Sequence, residues 1–230
     1  MADEIGLSRI HHELIRGLIE TGTCPKNSEL GQRFALTTVQ IEELLRGLSK
    51  IHGLVLHPHL CEPWIVHPFS LTPTIHWTKG QQGNWWAPCI WCALGIAALI
   101  RGEAQIHTRI GGEAEPLTLQ VIDGRPVGFD DICIHFAIPP ARAWQNVHQH
   151  CSMVLPFRSR EDIYDWCKRH QFPYGEAVPL HQVARLAQLW YGTYADVNWH
   201  RWTVTEAQDI FREAGLVSSF WDLGEGKGKF

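Results

Sequence analysis

Residues 75–100 read IHWTKGQQGNWWAPCIWCALGIAALI, and this stretch decides the class of fold. Ile75–Thr78 and Asn84–Trp86 face each other across Gly80-Gln-Gln-Gly83, the pattern of a β-hairpin. Pro88 follows, and proline suits the first position of a helix, because its ring presets φ and its missing N–H would go unbonded there in any case. From Pro88 to about Ile100 the chain is nearly all apolar, so a buried helix is expected directly after the hairpin. A hairpin that feeds a buried helix places strands and helices around a shared core, which is the α+β class.

Downstream, three segments alternate apolar and polar residues. Ile106, Thr108 and Ile110 mark the first, Leu117, Leu119 and Val121 the second, and Ile132, Ile134, Phe136 and Ile138 the third. Gly111-Gly112 and Asp123-Gly124 supply turns, so an antiparallel meander is the simplest expectation. The last third is helical. Ser159-Arg-Glu-Asp162 caps one helix that runs to about His170, and Leu180–Trp190 has helical period. Thr203-Val-Thr-Glu206 is a capping box before Ala207–Ala214, and Gly215 ends that helix. The glycine-rich stretch from Gly224 to Phe230 is expected to fray.

Upstream, residues 9–50 carry three helical patterns. Ile10, Leu14, Leu18 and Ile19 mark the first, and Asn27 or Ser28 can cap a short second one. Thr37 or Thr38 opens the third, with Ile41, Leu44, Leu45 and Leu48 on one face and Gly53 as its stop. Leu54–Leu56 and Trp64–Val66 then read as two strands around a Pro58–Pro63 turn. Three helices and a hairpin make a winged helix-turn-helix-like module, assigned to residues 1–70, ahead of an α+β core with C-terminal helices over 71–230. Nucleic acid is an unlikely partner for this module. Arg9, Arg16, Lys26, Arg33, Arg46 and Lys50 are balanced by Asp3, Glu4, Glu13, Glu20, Glu29, Glu42 and Glu43. Glu42 and Glu43 open the exposed face of the third helix, where phosphates would repel them.

The 230 residues carry a net charge of −4, which offers no electrostatic footprint for nucleic acid or an anionic membrane. No apolar run reaches the roughly 18 residues of a membrane span, and the acidic start MADEIGLSRI is no signal peptide. Seven cysteines at irregular spacing argue against a secreted disulfide framework and for free thiols in a cytoplasmic setting. The eleven tryptophans, several of them just ahead of Cys92, read as core. His11, His12, His52, His57 and His59 lack a metal-site spacing and read as surface or capping residues. His135 reads as structural, and Cys24, Cys61, Cys133 and Cys167 as packing or surface thiols.

Cys89 and Cys92 are different. Three residues apart in the opening turns of the expected helix, they lie on nearly one face, where the unpaired amides of a helix start favour a thiolate. Dithiol redox work, metal binding and nucleophilic attack by Cys92 all suit that placement, and so does plain burial as small apolar residues. A zinc ribbon would require a second Cys-x-x-Cys, and a thioredoxin-like site a βαβ setting. Neither is present.

The wording around Cys92 and Cys151 resembles the organomercurial (alkylmercury) lyase family. Trp91-Cys92-Ala93-Leu94 matches the stretch that carries the family's first catalytic cysteine. Cys151, with Trp166 fifteen residues later and Arg169-His170 beyond it, matches the spacing around the second. The resemblance implies an enzyme that takes an organomercurial as its small-molecule substrate and needs no organic cofactor. Cys92 and Cys151 would grip mercury transiently, the carbon would be protonated and released as hydrocarbon, and Hg(II) would pass to low-molecular-weight thiols. The family's third catalytic group, an aspartate three residues after the first cysteine, is replaced by Gly95. Candidate proton donors are therefore His150, His148 and Cys89, with Asp130 and Asp131 also in play. If residues 148–151 are extended, both histidines point away from Cys151; if helical, His148 shares its face. Because the acid is missing, a thiol-dependent lyase or biosynthetic enzyme acting on a non-mercury substrate is an alternative. A non-catalytic metal-sensing regulator is a second.

Overall fold

The protein is described here by a computed structural model covering residues 2–225 and 229–230. Helix α1 (Ala2–Thr21) buries Ile10, His11, Leu14, Ile15 and Leu18 at helical spacing, and α2 (Asn27–Phe34) and α3 (Thr38–Lys50) pack with it. Thr37 caps α3 as expected: its hydroxyl accepts the Gln40 N–H at 3.3 Å while the Gln40 side chain accepts the Thr37 N–H at 2.9 Å. The N-cap of α2 is Lys26, just ahead of the expected Asn27 or Ser28, and the Glu29 carboxylate accepts its N–H at 2.8 Å.

Strands β1 (Val55–Leu56) and β2 (Pro63–Val66) form the expected hairpin, followed by β3 (Phe69–Ser70), β4 (His76–Gly80) and β5 (Asn84–Ala87). After helix α4 (Ile90–Ile100) come β6 (Glu103–Arg109), β7 (Pro116–Ile122) and β8 (Arg125–Pro126). All eight join one antiparallel sheet in the order β1-β2-β3-β5-β4-β6-β7-β8. Ser70 pairs with Trp86, so the sheet runs through residue 70, and one hydrophobic core extends from Ile10 to Trp221. In β7, Leu117, Leu119 and Val121 face that core while Thr118, Gln120 and Ile122 face solvent, the alternation read from the sequence.

The expected meander stops at this pair. The third alternating segment, β9 (Cys133–Phe136), leaves for a second antiparallel sheet, β10-β9-β11, with β10 at Val154–Phe157 and β11 at Glu176–Pro179. The physical reason is that β9 is central and covered on both sides: Ile134, His135 and Phe136 are all buried. A short helix α5 (Val147–Ser152) lies between β9 and β10, and α6 (Arg160–His170) follows β10. After β11 come α7 (Leu180–Tyr191) and α8 (Val204–Glu213). The caps of these last helices are those expected, Ser159 for α6 and Thr203 for α8.

Helix α4 is the pivot. Every residue from Ile90 to Ala97 is buried, because the helix lies between β4 and β5 on one side and α7 on the other. Each fully buried Ile or Leu there contributes about 1.5–3 kcal/mol, enough to hold the helix start in place around polar groups. The helix does not open at Pro88. Cys89, in extended conformation at φ −155°, is the N-cap, and its sulfur accepts the Cys92 N–H at 3.3 Å. Part of the expected frayed tail, residues 226–228, lies outside the described residues. Phe230 is docked: its N–H donates to the Trp202 carbonyl at 2.8 Å, and its ring centroid lies 5.6 Å from that of Trp190. No described helix is long and apolar enough to cross a membrane.

Candidate functional site

Three elements deliver thiols to one place. The start of α4 supplies Cys89 as cap and Cys92 in the first turn. Helix α5 supplies Cys151, held by Asn146, whose side chain accepts the Gln149 N–H at 3.0 Å and so fixes where the helix begins. The turn between β2 and β3 adds His67, a residue with no signature in the sequence. The Cys92 and Cys151 sulfurs and a His67 ring nitrogen all lie within 4.8 Å of one another, and all three residues are buried. His67 Nε2 stands 4.0 Å from Cys151 Sγ. From the end of α7, the Tyr191 hydroxyl reaches Cys92 Sγ at 3.3 Å.

The proposed donors fall into two groups. Cys89 is buried, and its sulfur accepts the Cys92 N–H at 3.3 Å. His150 is buried and lines the same cavity. His148 is exposed, 5.6 Å from the Trp64 ring, although residues 147–152 are helical. Asp130 and Asp131 are exposed as well, with Asp130 3.1 Å from His181. Two of the histidines read as surface residues are instead packed inside. His11 is fully buried and stacks on Trp199 at 3.5 Å, while His52 stacks on Trp144 at 4.1 Å.

The cluster carries its charge unevenly. Burial opposes ionisation of Cys89, but hydrogen bonds from the Cys151 and Cys92 thiols and from the Cys92 N–H outweigh it and hold Cys89 well below the ordinary thiol range. Burial lifts Cys92 well above that range, and the neighbouring Cys89 adds to the effect. Its hydrogen bonds to Cys89 and Cys92, followed by burial, raise Cys151 likewise. Burial, then the nearby Arg201 cation, drives His67 down to about 3, leaving a neutral imidazole with a free lone pair. Burial also lowers His150.

Cys92 and Cys151 line a cavity of about 40 Å³ with His67, His150, Trp91, Trp144 and Tyr191. That is room for a couple of water-sized groups, in surroundings that are mostly apolar. Four nitrogens of its lining residues are buried without a partner among the described residues: His67 Nδ1, His150 Nδ1, Trp91 Nε1 and Trp144 Nε1. Orphaned polar atoms around a void mark a place where a guest belongs. Arg201 closes one side, donating to the Tyr194 hydroxyl at 2.5 Å and to the Phe230 backbone oxygen and lying 5.0 Å over the Trp144 ring. A more spacious cleft of about 790 Å³, lined by Leu7, Trp199 and His200 among others, contains no thiol. The soft donors therefore meet at the smaller cavity.

Sulfur donors with one neutral imidazole and no carboxylate are a soft set, suited to a soft electrophile rather than to a hard cation. An α+β frame that buries such a set around a void defines a thiol-dependent, soft-metal protein. The chain belongs to the alkylmercury lyase family: the family model of MerB, alkylmercury lyase, matches residues 69–192, more than half of its length. The matched span holds Cys89, Cys92, Cys151 and Tyr191; His67 and Arg201 come from outside it. Among solved structures, the mercury-bound form of MerB2 is similar in fold, with a TM-score of 0.63 and 17% identity over 84% of this chain and 91% of that chain. No curated protein matches the chain in sequence.

Proposed function

We propose that the chain cleaves carbon–mercury bonds with Cys92 and Cys151 as the two sulfurs that take the metal. The observation that carries this reading is the meeting of two thiols, distant in sequence, within 4.8 Å of each other and of His67 around a small apolar cavity. An organomercurial arrives on a low-molecular-weight thiol. One cysteine sulfur replaces that carrier on mercury, its proton leaving with the carrier thiol. The second sulfur then bonds to mercury, the carbon–mercury bond breaks, and its electron pair takes up a proton to give the hydrocarbon. Mercury remains Hg(II) throughout, held by two sulfurs until small thiols exchange it away. His67, neutral at working pH, offers a third ligand that stabilises the metal as the carbon departs.

Seven unpaired cysteines fit a reducing, cytoplasmic compartment, where carrier thiols are abundant. A non-mercury substrate has no observation of its own in its favour. The regulatory reading is opposed by the third helix, where Glu42 is paired with Arg46 at 2.8 Å. The test is headspace detection of hydrocarbon from a methyl- or phenylmercury compound in excess thiol. Release well above the thiol-only background is expected, and its absence would remove the lyase reading.

A further inference from the structure

Breaking a carbon–mercury bond requires a proton at the carbon, and Gly95 has no side chain to give one. The space above Gly95 is filled by Tyr191: a Cβ built on Gly95 would come within 2.3 Å of Tyr191 Cδ2 and 2.7 Å of Cε2. Glycine at 95 and the ring of Tyr191 packed over it are one packing decision. That decision brings the phenol oxygen to 3.3 Å from Cys92 Sγ, inside the cavity that Cys92 and Cys151 line.

The competing donors are placed less well. His67 Nε2 is 4.0 Å from Cys151 Sγ, farther than the Tyr191 hydroxyl is from Cys92 Sγ at 3.3 Å, and His150 lines the cavity without a hydrogen bond to either sulfur among the described residues. Cys89 is the cap of α4, its sulfur taken up by the Cys92 N–H at 3.3 Å, and it is not among the residues that line the cavity. His148 is exposed, away from the cavity lining. Tyr191, at the end of α7, sets its hydroxyl 3.3 Å from a reacting sulfur, a contact in which either group can donate. A departing carbanion is so basic that transfer from any O–H acid runs downhill, so position matters more than acidity.

We propose that the Tyr191 hydroxyl is the catalytic proton donor of this site. The inference rests on the reading that the site cleaves carbon–mercury bonds. With R–Hg on the Cys151 sulfur, Cys92 Sγ bonds to mercury and gives its thiol proton to the Tyr191 oxygen. Tyr191 gives its own proton to the carbon, and the carbon–mercury bond breaks with its electron pair in the new C–H bond. The sum is R–Hg–S(Cys151) plus Cys92–SH giving R–H and Hg(II) on both sulfurs, with tyrosine regenerated and no change of oxidation state.

The test is Tyr191→Phe, which keeps the ring over Gly95 and removes only the hydroxyl. Hg(II) retention by native mass spectrometry and the thermal midpoint should match the parent. Hydrocarbon release per turnover should fall by at least about 100-fold, with kcat carrying the loss and KM little changed. Release within about twofold of the parent would overturn the proposal while leaving the lyase reading intact. Release that survives in Tyr191→Phe but is lost in Cys89→Ser would overturn it in favour of the thiol. A parent that holds Hg(II) yet releases no hydrocarbon would overturn the lyase reading itself.

Discussion

His135 and Cys167 lie 3.7 Å apart in the smaller core, closer than His67 and Cys151 at 4.0 Å in the larger one. Judged by that distance alone, the first pair would be the better candidate for chemistry. Its surroundings decide otherwise. His135 Nε2 donates to the Tyr174 carbonyl at 2.7 Å, Cys167 to the Pro173 carbonyl at 3.5 Å, and Phe157, Ile163 and Trp166 pack around them. That pair offers one sulfur, already engaged. The pair at His67 has two further sulfurs beside it and a void lined by unpartnered nitrogens. A thiol–imidazole contact is therefore common structural material, and it becomes a site when several soft donors converge on space left for a guest.

The comparison is broken most forcefully by serine substitution on each side. Cys92→Ser or Cys151→Ser should lower hydrocarbon release by about 10³-fold or more, as removal of a nucleophile does. Cys167→Ser should leave release at the parent level, and a matching collapse there would erase the distinction between the two cores. The histidines sharpen it. His67→Gln should cost about 10- to 100-fold in release and in Hg(II) retention, the scale seen for groups that support a metal ligand set. His135→Gln should spare both and lower the thermal midpoint instead.

Acid should act on stability through both cores. Burial drives His67 down to about 3 and His76 to about 4, from an ordinary value of 6.5, and lowers His135 and His150 in the same sense. A folded-state value below the unfolded one means that the unfolded chain binds protons first as pH falls. The stability is therefore complete above about pH 6.5 and is lost between about 6.5 and 3, at up to about 1.4 kcal/mol per histidine per pH unit. Thermal midpoints measured from pH 8 to pH 4 should fall steadily on the acid side; a flat profile would contradict buried neutral imidazoles. The smallest effect belongs to Cys133, a half-buried thiol whose sulfur is 3.9 Å from the Asp131 carbonyl. Cys133→Ser should change stability by less than about 0.5 kcal/mol in denaturant unfolding and leave release untouched.

Much of the scaffold was legible because its signals are local. Thr37, Ser159 and Thr203 announce their helices by capping chemistry, and β6 and β7 by alternation around turns. The second sheet was not legible for a physical reason. β10 is buried along its whole length, Val154 to Phe157, and lacks the in–out rhythm that identifies a strand exposed on one side, while β9, readable as a strand from its alternation, is buried on both faces and pairs with β10 rather than with β7. The thiols of the candidate site could be read from the residues around Cys92 and Cys151. His67 and Tyr191 could not, since one sits in a turn and the other at a helix end, and only folding brings them to the sulfurs. His148 and His150 show the limit of local reasoning: a helical reading of residues 148–151 puts His148 on the face of Cys151, yet the packing of α5 turns His150 inward and leaves His148 outside.

The central claim is that Cys92 and Cys151 act as one clamp. Native mass spectrometry after Hg(II) loading, in the presence of excess competing thiol, tests it directly across the parent, Cys92→Ser and Cys151→Ser. The competing thiol strips mercury from isolated cysteines and spares only a chelate. The account predicts one Hg(II) retained per parent chain and none on either variant. Equal retention by the parent and by either single variant would contradict it.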